Sequence, residues 1–263
     1  MQCLSCGSVS RAENKWPGLP FFTCPACGVL FAYPQASDAQ LEQAYRERYY
    51  PADGRANPVY ENTPRELVDQ LVSCLRDHGF LPLRDARVLD FGSGVGDFAD
   101  AAARQGAEVV AVEADPVARA LAARRGVRVY RALADLPRES VTRRYDLIAL
   151  VDVLEHVRDP LALLTELRAL LRPGGALYLS VPNHRAPQPR LLGARWDQAN
   201  NPTHLFLFCP RSVRQLLGRA GFAGSYLPCA LRDPRMTVPQ RAVSVLLQRL
   251  RLSGTLRVIA RAA

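Results

Sequence analysis

The chain is 263 residues long, 48% hydrophobic, and carries a formal net charge of +9. That length holds one full α/β domain with appendages, and no apolar run approaches the roughly 18 residues that would span a bilayer. The positive charge sits at one end: residues 185–263 hold 13 arginines against Asp197 and Asp233, a net of +11 that leaves −2 for the remainder.

Lys15 is the only lysine in the chain. The arginine excess therefore reads first as a compositional bias, and only second as a footprint for an anionic partner. The opening residues Met1-Gln2-Cys3 show no basic-then-apolar export pattern, so a cytoplasmic protein is expected.

Cys3-x-x-Cys6 and Cys24-x-x-Cys27 enclose 17 residues, and each pair is followed by a glycine, Gly7 or Gly28. This is the spacing of a four-cysteine ribbon whose knuckles turn backbone N–H groups toward sulfur. Four thiolates close a tetrahedron and leave no open position, so Cys3, Cys6, Cys24 and Cys27 are expected to hold a structural Zn2+. Disulfides are disfavoured in a cytosolic chain. Residues 1–33 form this ribbon, with Phe21, Phe22, Phe31 and Tyr33 as a miniature core, and a unit so small needs its metal to fold. Cys74, Cys209 and Cys229 lack partner spacing and read as packed thiols.

Residues 34–60 read as a connector with one short helix near 38–48, N-capped by Asp38, and a tyrosine cluster at Tyr45, Tyr49 and Tyr50. A helix over Thr63–Arg76 follows from Leu67, Leu71, Val72 and Leu75 at helical spacing. Strands then fall near 87–91, 108–112, 127–130, 146–151 and 176–181, alternating with helices near 96–104, 116–124 and 160–171. The fold class is α/β: a Rossmann-like, mostly parallel sheet with helices on both faces.

The first two of these strands carry the most chemistry. Val88-Leu89-Asp90-Phe91 runs into Gly92-Ser93-Gly94-Val95-Gly96, and Val109–Val112 ends at Glu113 with Ala114 beside it. A βαβ unit of this kind takes a nucleoside-type ligand at the carboxyl ends of its strands. A pyrophosphate cradle avoids negative charge, whereas Asp90 favours a cation, and the glycine spacing is G-x-G-x-G. S-adenosylmethionine has a sulfonium and an ammonium but no phosphate, and Glu113 can accept hydrogen bonds from both ribose hydroxyls.

With these residues the chain resembles the class I S-adenosylmethionine-dependent methyltransferases. Tyr145–Val157 is similar to the family's fourth strand and its following loop, and Leu170–Asn183 to its helix-to-fifth-strand turn. The resemblance implies that donor contacts come from Asp90, Gly92, Ser93, Gly94, Gly96, Glu113, Ala114 and Asp152. Relatives commonly place an acid in the adenine loop where this chain has Ala132, which leaves backbone near Leu133, Asp135 or apolar stacking to hold the base.

Asp152, Glu155 and His156 follow the fourth strand directly, and His156 is a candidate general base with an ordinary pKa near 6.5. After Pro182-Asn183 comes a proline-bearing excursion, about 184–204, expected as a lid over the substrate. His204 at its end is a second candidate base, and His184 a weaker one. Arg190–Trp196, Pro202–Leu205 and the helix closing on Ala220-Gly221-Phe222 resemble the ubiquinone-biosynthesis-type methyltransferases. A cysteine ribbon followed by a tyrosine-rich connector is similar to members that act in polysaccharide, glycolipid or secondary-metabolite assembly. Together these imply O-methylation, or less often C-methylation, of a sugar or other small molecule.

The core domain is expected over 61–231 and a basic, amphipathic helical extension over 232–263. Val243, Leu246, Leu247 and Leu250 lie on one face of that helix, either docked on the domain or lying on an anionic membrane surface. The alternative function is an rRNA or tRNA methyltransferase that grips RNA with the ribbon and the arginine-rich end. The Asp152-Val153-Leu154-Glu155 loop lacks the Asn/Asp-Pro-Pro-aromatic pattern of base-amine methylation. Only Arg11 and Lys15 are basic within 1–33, and both observations argue against nucleic acid.

Overall fold

The computed structural model describes residues 2–3, 5–9, 13–16, 18–49, 65–77, 83–139, 144–226 and 237–262. Tyr50 and Cys229 lie outside these residues, as do the side chains of Leu67 and Cys74. Near the N-terminus three short strands, β1 (Glu13–Asn14), β2 (Phe21–Thr23) and β3 (Leu30–Ala32), form an antiparallel meander. Helix α1 (Asp38–Arg48) follows. Its N-cap is Ser37 and not Asp38: the Ser37 hydroxyl accepts from the Gln40 N–H while the Gln40 side chain accepts from the Ser37 N–H. A hydroxyl one residue earlier completes this reciprocal box, and Asp38 then serves as first-turn acid.

Seven strands build the main sheet. In chain order they are β4 (Arg87–Phe91), β5 (Glu108–Val112), β6 (Arg128–Tyr130), β7 (Tyr145–Val151), β8 (Leu171–Pro182), β10 (Phe222–Tyr226) and β11 (Thr255–Ala262). Their spatial order is β10-β11-β8-β7-β4-β5-β6. The β6-to-β8 part is parallel throughout, and β11 inserts antiparallel to both neighbours. Val88, Leu89, Ile148, Ala149, Leu177 and Leu179 are all fully buried, as expected for strands covered on both faces.

One face is packed by α2 (Arg65–Asp77) and α3 (Asp97–Arg104), through Leu71, Leu75, Phe98 and Ala102. The other carries α5 (Pro160–Leu170) and α7 (Pro210–Arg219), through Leu164, Leu167, Val213 and Leu216. Helix α4 (Pro116–Arg124), N-capped by Asp115, links β5 to β6. No helix among the described residues is long and apolar enough to cross a membrane.

Three segments differ from the sequence reading. The C-terminal stretch expected as a helical extension is a helix, α8 (Val238–Arg249), followed by β11. Strand β11 fills the gap between β8 and β10, so the chain's end completes the central sheet. Thr255–Ala262 alternates in burial on its first half, a period-2 signal weak enough to miss beside the arginines. On α8, Val243, Leu246 and Leu250 are more than half exposed, so this face is not docked on the domain.

The excursion expected as a lid is packed. It folds into α6 (Pro187–Leu192) and a 3-10 turn at Gly193–Arg195, and it buries Trp196 and Ala199 against Trp16, Phe21 and Leu30. It leads into β9 (Phe206–Leu207), which pairs with β3 and becomes the fourth strand of the N-terminal sheet. The N-terminal unit therefore has no free-standing core. Cys3, Cys24, Cys27 and Phe31 belong to the same buried cluster as Leu154, Leu164 and Phe208.

Candidate active site

The carboxyl ends of β4 and β5 form one half of the cleft. Gly92, Gly94 and Gly96 all have positive φ. Gly92 has a second constraint, since a Cβ there would lie 2.5 Å from the Val153 side chain; the loop and the turn after β7 thus meet at this residue. Glu113 braces the loop, its two oxygens accepting from the N–H groups of Gly94 and Asp115, each at 2.8 Å. Asp90 is 1% exposed and neither of its oxygens has a hydrogen-bond partner among the described residues. The neighbouring Ser93 hydroxyl is likewise buried and unpaired. Burial, reinforced by the Glu113 charge, pushes the Asp90 carboxyl up to about 7. A buried acid kept partly protonated, with two idle acceptors, is a seat for a cationic ligand.

Ala114 is exposed and Leu133 half-buried at the rim. Asp135 is also exposed, and it spends one oxygen accepting from the Ala132 N–H at 3.1 Å. Asp152 sits at the mouth in a left-handed conformation, φ 53°. It is held there by the Ser180 hydroxyl, which donates to it at 2.9 Å, and by its own N–H to the Ser180 carbonyl. A non-glycine residue in that region is strained and held by its surroundings, a pattern that clusters at functional sites.

The turn after β7 forms the other half. Glu155 is 1% exposed with one oxygen unpaired among the described residues. Burial, then the Asp152 charge, hold its carboxyl well above the usual range. His156 and His204 meet edge to face with ring centres 4.7 Å apart. Their hydrogen bonds give them different duties. His156 Nδ1 faces the Thr203 carbonyl at 3.0 Å, so Nδ1 carries the proton and Nε2 keeps a lone pair; no described residue hydrogen-bonds to that Nε2.

His204 Nδ1 donates to the Gln198 carbonyl at 2.9 Å, and its Nε2 accepts from the Asn201 side chain at 2.9 Å. The Asn201 amide is oriented unambiguously, because its oxygen accepts from the Thr203 N–H. His204 therefore has both nitrogens spent. Burial pushes His156 down to about 4 and His204 down to about 3, the second helped by its His156 neighbour. Both rings are neutral at pH 7.

Two tyrosines from α1 close this half. Tyr45 and Tyr49 lie with ring centres 5.6 and 6.4 Å from the His156 ring. The Tyr49 hydroxyl accepts from Asn201 at 2.6 Å, while Tyr49 packs against the buried pair Val95 and Ala118 on the glycine-loop side. The N-terminal end of α1 is pinned by Arg158, which donates to Asp38 and to the Ala36 carbonyl. The expected bases His156 and His204 are thus adjacent, but only His156 presents an available nitrogen. His184 is a strut, its Nε2 donating to the Gly28 carbonyl at 2.8 Å. Asn201, Thr203 and Tyr49 were not picked out as site residues; Asn201 and Thr203 flank a proline just before His204, the one local signal that could have drawn attention to them.

Among the described residues, two side-chain clusters bring together atoms of the kind that ligate metals. Four sulfurs about 2.3 Å from a common centre stand about 3.8 Å apart in a tetrahedron. Cys3 and Cys27 are 3.8 Å apart, and Cys6 and Cys24 3.7 Å, far beyond the roughly 2.05 Å of a disulfide. Gly7 and Gly28 take the positive φ that the knuckles need. Cys209 is packed over the second knuckle, its Sγ 3.6 Å from the Gly28 carbonyl. The second cluster is Glu155, His156 and His204, whose ligand atoms lie within 4.8 Å of one another.

Residues 60–226 match the methyltransferase domain family. The chain is 32% identical over 203 residues to the ubiquinone biosynthesis O-methyltransferase of Cereibacter sphaeroides, covering 71% of this chain and 81% of that protein. Among solved structures, an S-adenosylmethionine-dependent methyltransferase from Mesorhizobium loti superposes with a TM-score of 0.55 at 22% identity, covering 74% of this chain and 99% of its own. The plantazolicin methyltransferase BamL, solved with a triazolic desmethylPZN analog and SAH, gives 0.58 at 15% identity over 85% of this chain and 96% of its own. These two likenesses establish the fold.

Proposed function

This chain belongs to the class I S-adenosylmethionine-dependent methyltransferases, and from that premise we propose that it methylates a hydroxyl of a small organic acceptor, with His156 as general base. The observation that carries the reading is the His156 tautomer: Nδ1 is committed to the Thr203 carbonyl, which leaves the Nε2 lone pair at the carboxyl end of β7. When bound, S-adenosylmethionine supplies a methyl carbon activated by its sulfonium. Asp90, the glycine loop and Glu113 would hold its cationic and ribose groups, Ala114, Leu133 and Asp135 would hold the adenine, and Asp152 at the end of β7 would lie toward the acceptor side. His156 Nε2 would take the acceptor's hydroxyl proton while the oxygen bonds to the methyl carbon and the carbon–sulfur bond breaks, the sulfonium leaving as a neutral thioether. His204 keeps the His156 ring in place, and the two tyrosines wall off water.

The name of the Cereibacter relative favours a small molecule over RNA, and the aromatic walls suit a ring-bearing acceptor; a saccharide and C-methylation are the narrower alternatives. Four cysteines with tetrahedral spacing fit a structural zinc, expected at one per chain by metal analysis. Leu191 on α6 is 84% exposed, and with the outward apolar face of α8 and the exposed Arg249 and Arg251 it suits peripheral contact with anionic lipid. Co-sedimentation with anionic but not neutral vesicles checks that contact.

The deciding experiment supplies radiolabelled S-adenosylmethionine with catechols, phenols, sugars and amines in parallel. Transfer to hydroxyls that collapses in His156→Gln while donor binding persists is the expected result. Transfer to amines alone, or an unimpaired variant, overturns the reading.

A further inference from the structure

The N-terminal cysteine unit makes its tertiary contacts on one side of the cleft. Its second knuckle touches the domain at the Gly28 carbonyl, which accepts from His184 and underlies Cys209. Its first knuckle is held by Arg219 of α7, which donates to the Ser5 carbonyl at 2.8 Å. Its last strand, β3, pairs with β9 through Leu30 with Leu207 and Phe31 with Phe206.

Leu205 stands between the two regions. Its carbonyl accepts from the Ala32 N–H at 2.9 Å, and its own N–H donates to the Glu155 carbonyl at 2.8 Å. One residue thus ties the ribbon's edge to the turn that carries Glu155 and His156, and its sequence neighbour is His204. Downstream, the ribbon feeds into α1, which delivers Tyr45 and Tyr49 to the same place. Among the described residues, the hydrogen bonds and strand pairing of the ribbon stay clear of the Gly92–Gly96 loop and Glu113; Tyr49 alone of these groups also packs beside that loop, on the Val95–Ala118 pair.

Given the zinc reading above, on which this rests, we propose that the four-cysteine knuckle is the positioning element of the acceptor half: closing the sulfur tetrahedron sets β3, and β3 sets Leu205 and with it the Glu155–His156 turn and His204. The donor half folds and binds without it. Cys3, Cys6, Cys24, Cys27, His184 and Leu205 are positioning residues, and none of them needs to touch the acceptor. A hairpin of two- and three-residue strands has too little apolar burial of its own to hold that geometry. A metal that fixes four points of the hairpin supplies the missing constraint.

The test uses the full chain as purified, with its metal content measured first. The metal is then removed with a chelator under reducing conditions. S-adenosylmethionine affinity is read by calorimetry, amide exchange by mass spectrometry, and the His156 and His204 rings by NMR titration. The expected result is at least 100-fold faster exchange across 203–208, histidine rings titrating nearer to ordinary imidazole, and donor affinity within threefold of the loaded protein, all reversed by adding zinc. His184→Phe keeps the four sulfurs but cuts one tie, and should speed exchange at 203–208 about tenfold with metal retained.

Metal present, with exchange and ring titration unmoved by its removal, overturns this proposal alone. Donor affinity lost in step with the exchange change also overturns it, because the domain would then be failing as a whole. A purified chain with no metal overturns the zinc reading and this proposal together, and the metal measurement by itself identifies that case.

Discussion

The two halves of the cleft are built in opposite ways. The half proposed to hold the donor comes from one βαβ unit, residues 87–115, and its key groups are acids: Asp90, whose two oxygens have no partner among the described residues, and Glu113 braced by two backbone N–H groups. The half proposed to hold the acceptor is gathered from α1, the turn after β7, the excursion before β9 and the cysteine hairpin, and its key groups are two neutral histidines and two tyrosines. A cationic donor needs a fixed, charge-bearing seat that one local motif can provide. An acceptor to be deprotonated needs a neutral base and excluded water, and here that takes long-range packing. The donor seat can therefore persist while the acceptor side changes, and substitutions should separate the two functions.

The largest separation is expected at His156. Replacing it with glutamine should lower kcat by roughly 10²- to 10⁴-fold, the usual contribution of a general base, and leave donor affinity unchanged. Single-turnover rates and calorimetry check the two sides. A variant that loses both would mean that the halves are not independent.

Asp90→Asn is the converse and comes next in size. Removing the charge from a buried seat for a cation weakens a charge-assisted interaction by about 2 kcal/mol, roughly a 30-fold rise in donor Kd. Exchange at 203–208 should be untouched. Equal binding by the variant would show that the donor's cationic groups lie elsewhere.

A pH dependence of about tenfold should accompany the same acid. With its carboxyl near 7 in the free protein, Asp90 binds a proton that a cationic donor must displace. Donor binding should therefore tighten by about tenfold from pH 5.5 to 7 and release a proton, visible as a buffer-dependent heat. For stability without ligand the sign is reversed: a raised carboxyl pKa stabilises the fold at low pH, and this contribution fades as pH rises through 7. The histidines work against it. His156 and His184 near 4 and His204 near 3 lie below their unfolded value of about 6.5. Their share is complete above 6.5 and is lost as pH falls toward 4. Acid unfolding should thus begin on the acceptor side, and exchange at 203–208 should rise before exchange at 109–113.

The same contrast governs what the sequence discloses. Asp90, the three glycines and Glu113 lie within 24 residues, so their spacing alone implies a shared pocket. His156 stands out in the sequence as a proposed base because it follows a buried strand. The pairing of β3 with β9 was not, since it joins residues some 176 positions apart through strands of two and three residues with no periodicity to read. The spacing of the four cysteines points to one cluster, which the fold brings together, but nothing in that spacing says which part of the chain they pack against. The excursion before β9 looked like a lid because its prolines and polar residues are loop-like; Trp196 and Ala199, which bury it, have no local pattern. Strand β11 escaped notice because a terminal strand entering a sheet antiparallel is specified by the gap it fills.

Tyr49 belongs to both halves and gives the smallest and most discriminating effect. Its hydroxyl accepts from Asn201 beside His204, and it packs against the buried pair of Val95, in the glycine loop, and Ala118. Tyr49→Phe removes the first link and keeps the second. The hydroxyl makes one short bond, from Asn201, and one long one at 3.4 Å to the Thr203 hydroxyl; losing this pair amounts to about 1 kcal/mol, so acceptor KM should rise roughly fivefold while donor affinity stays constant. Tyr49→Ala removes both links and should weaken the donor as well. If phenylalanine already weakens the donor, the hydroxyl and not the ring carries the coupling, and the two halves communicate through Asn201. If alanine spares the donor, the Val95 contact is only packing, and the division between the halves is complete.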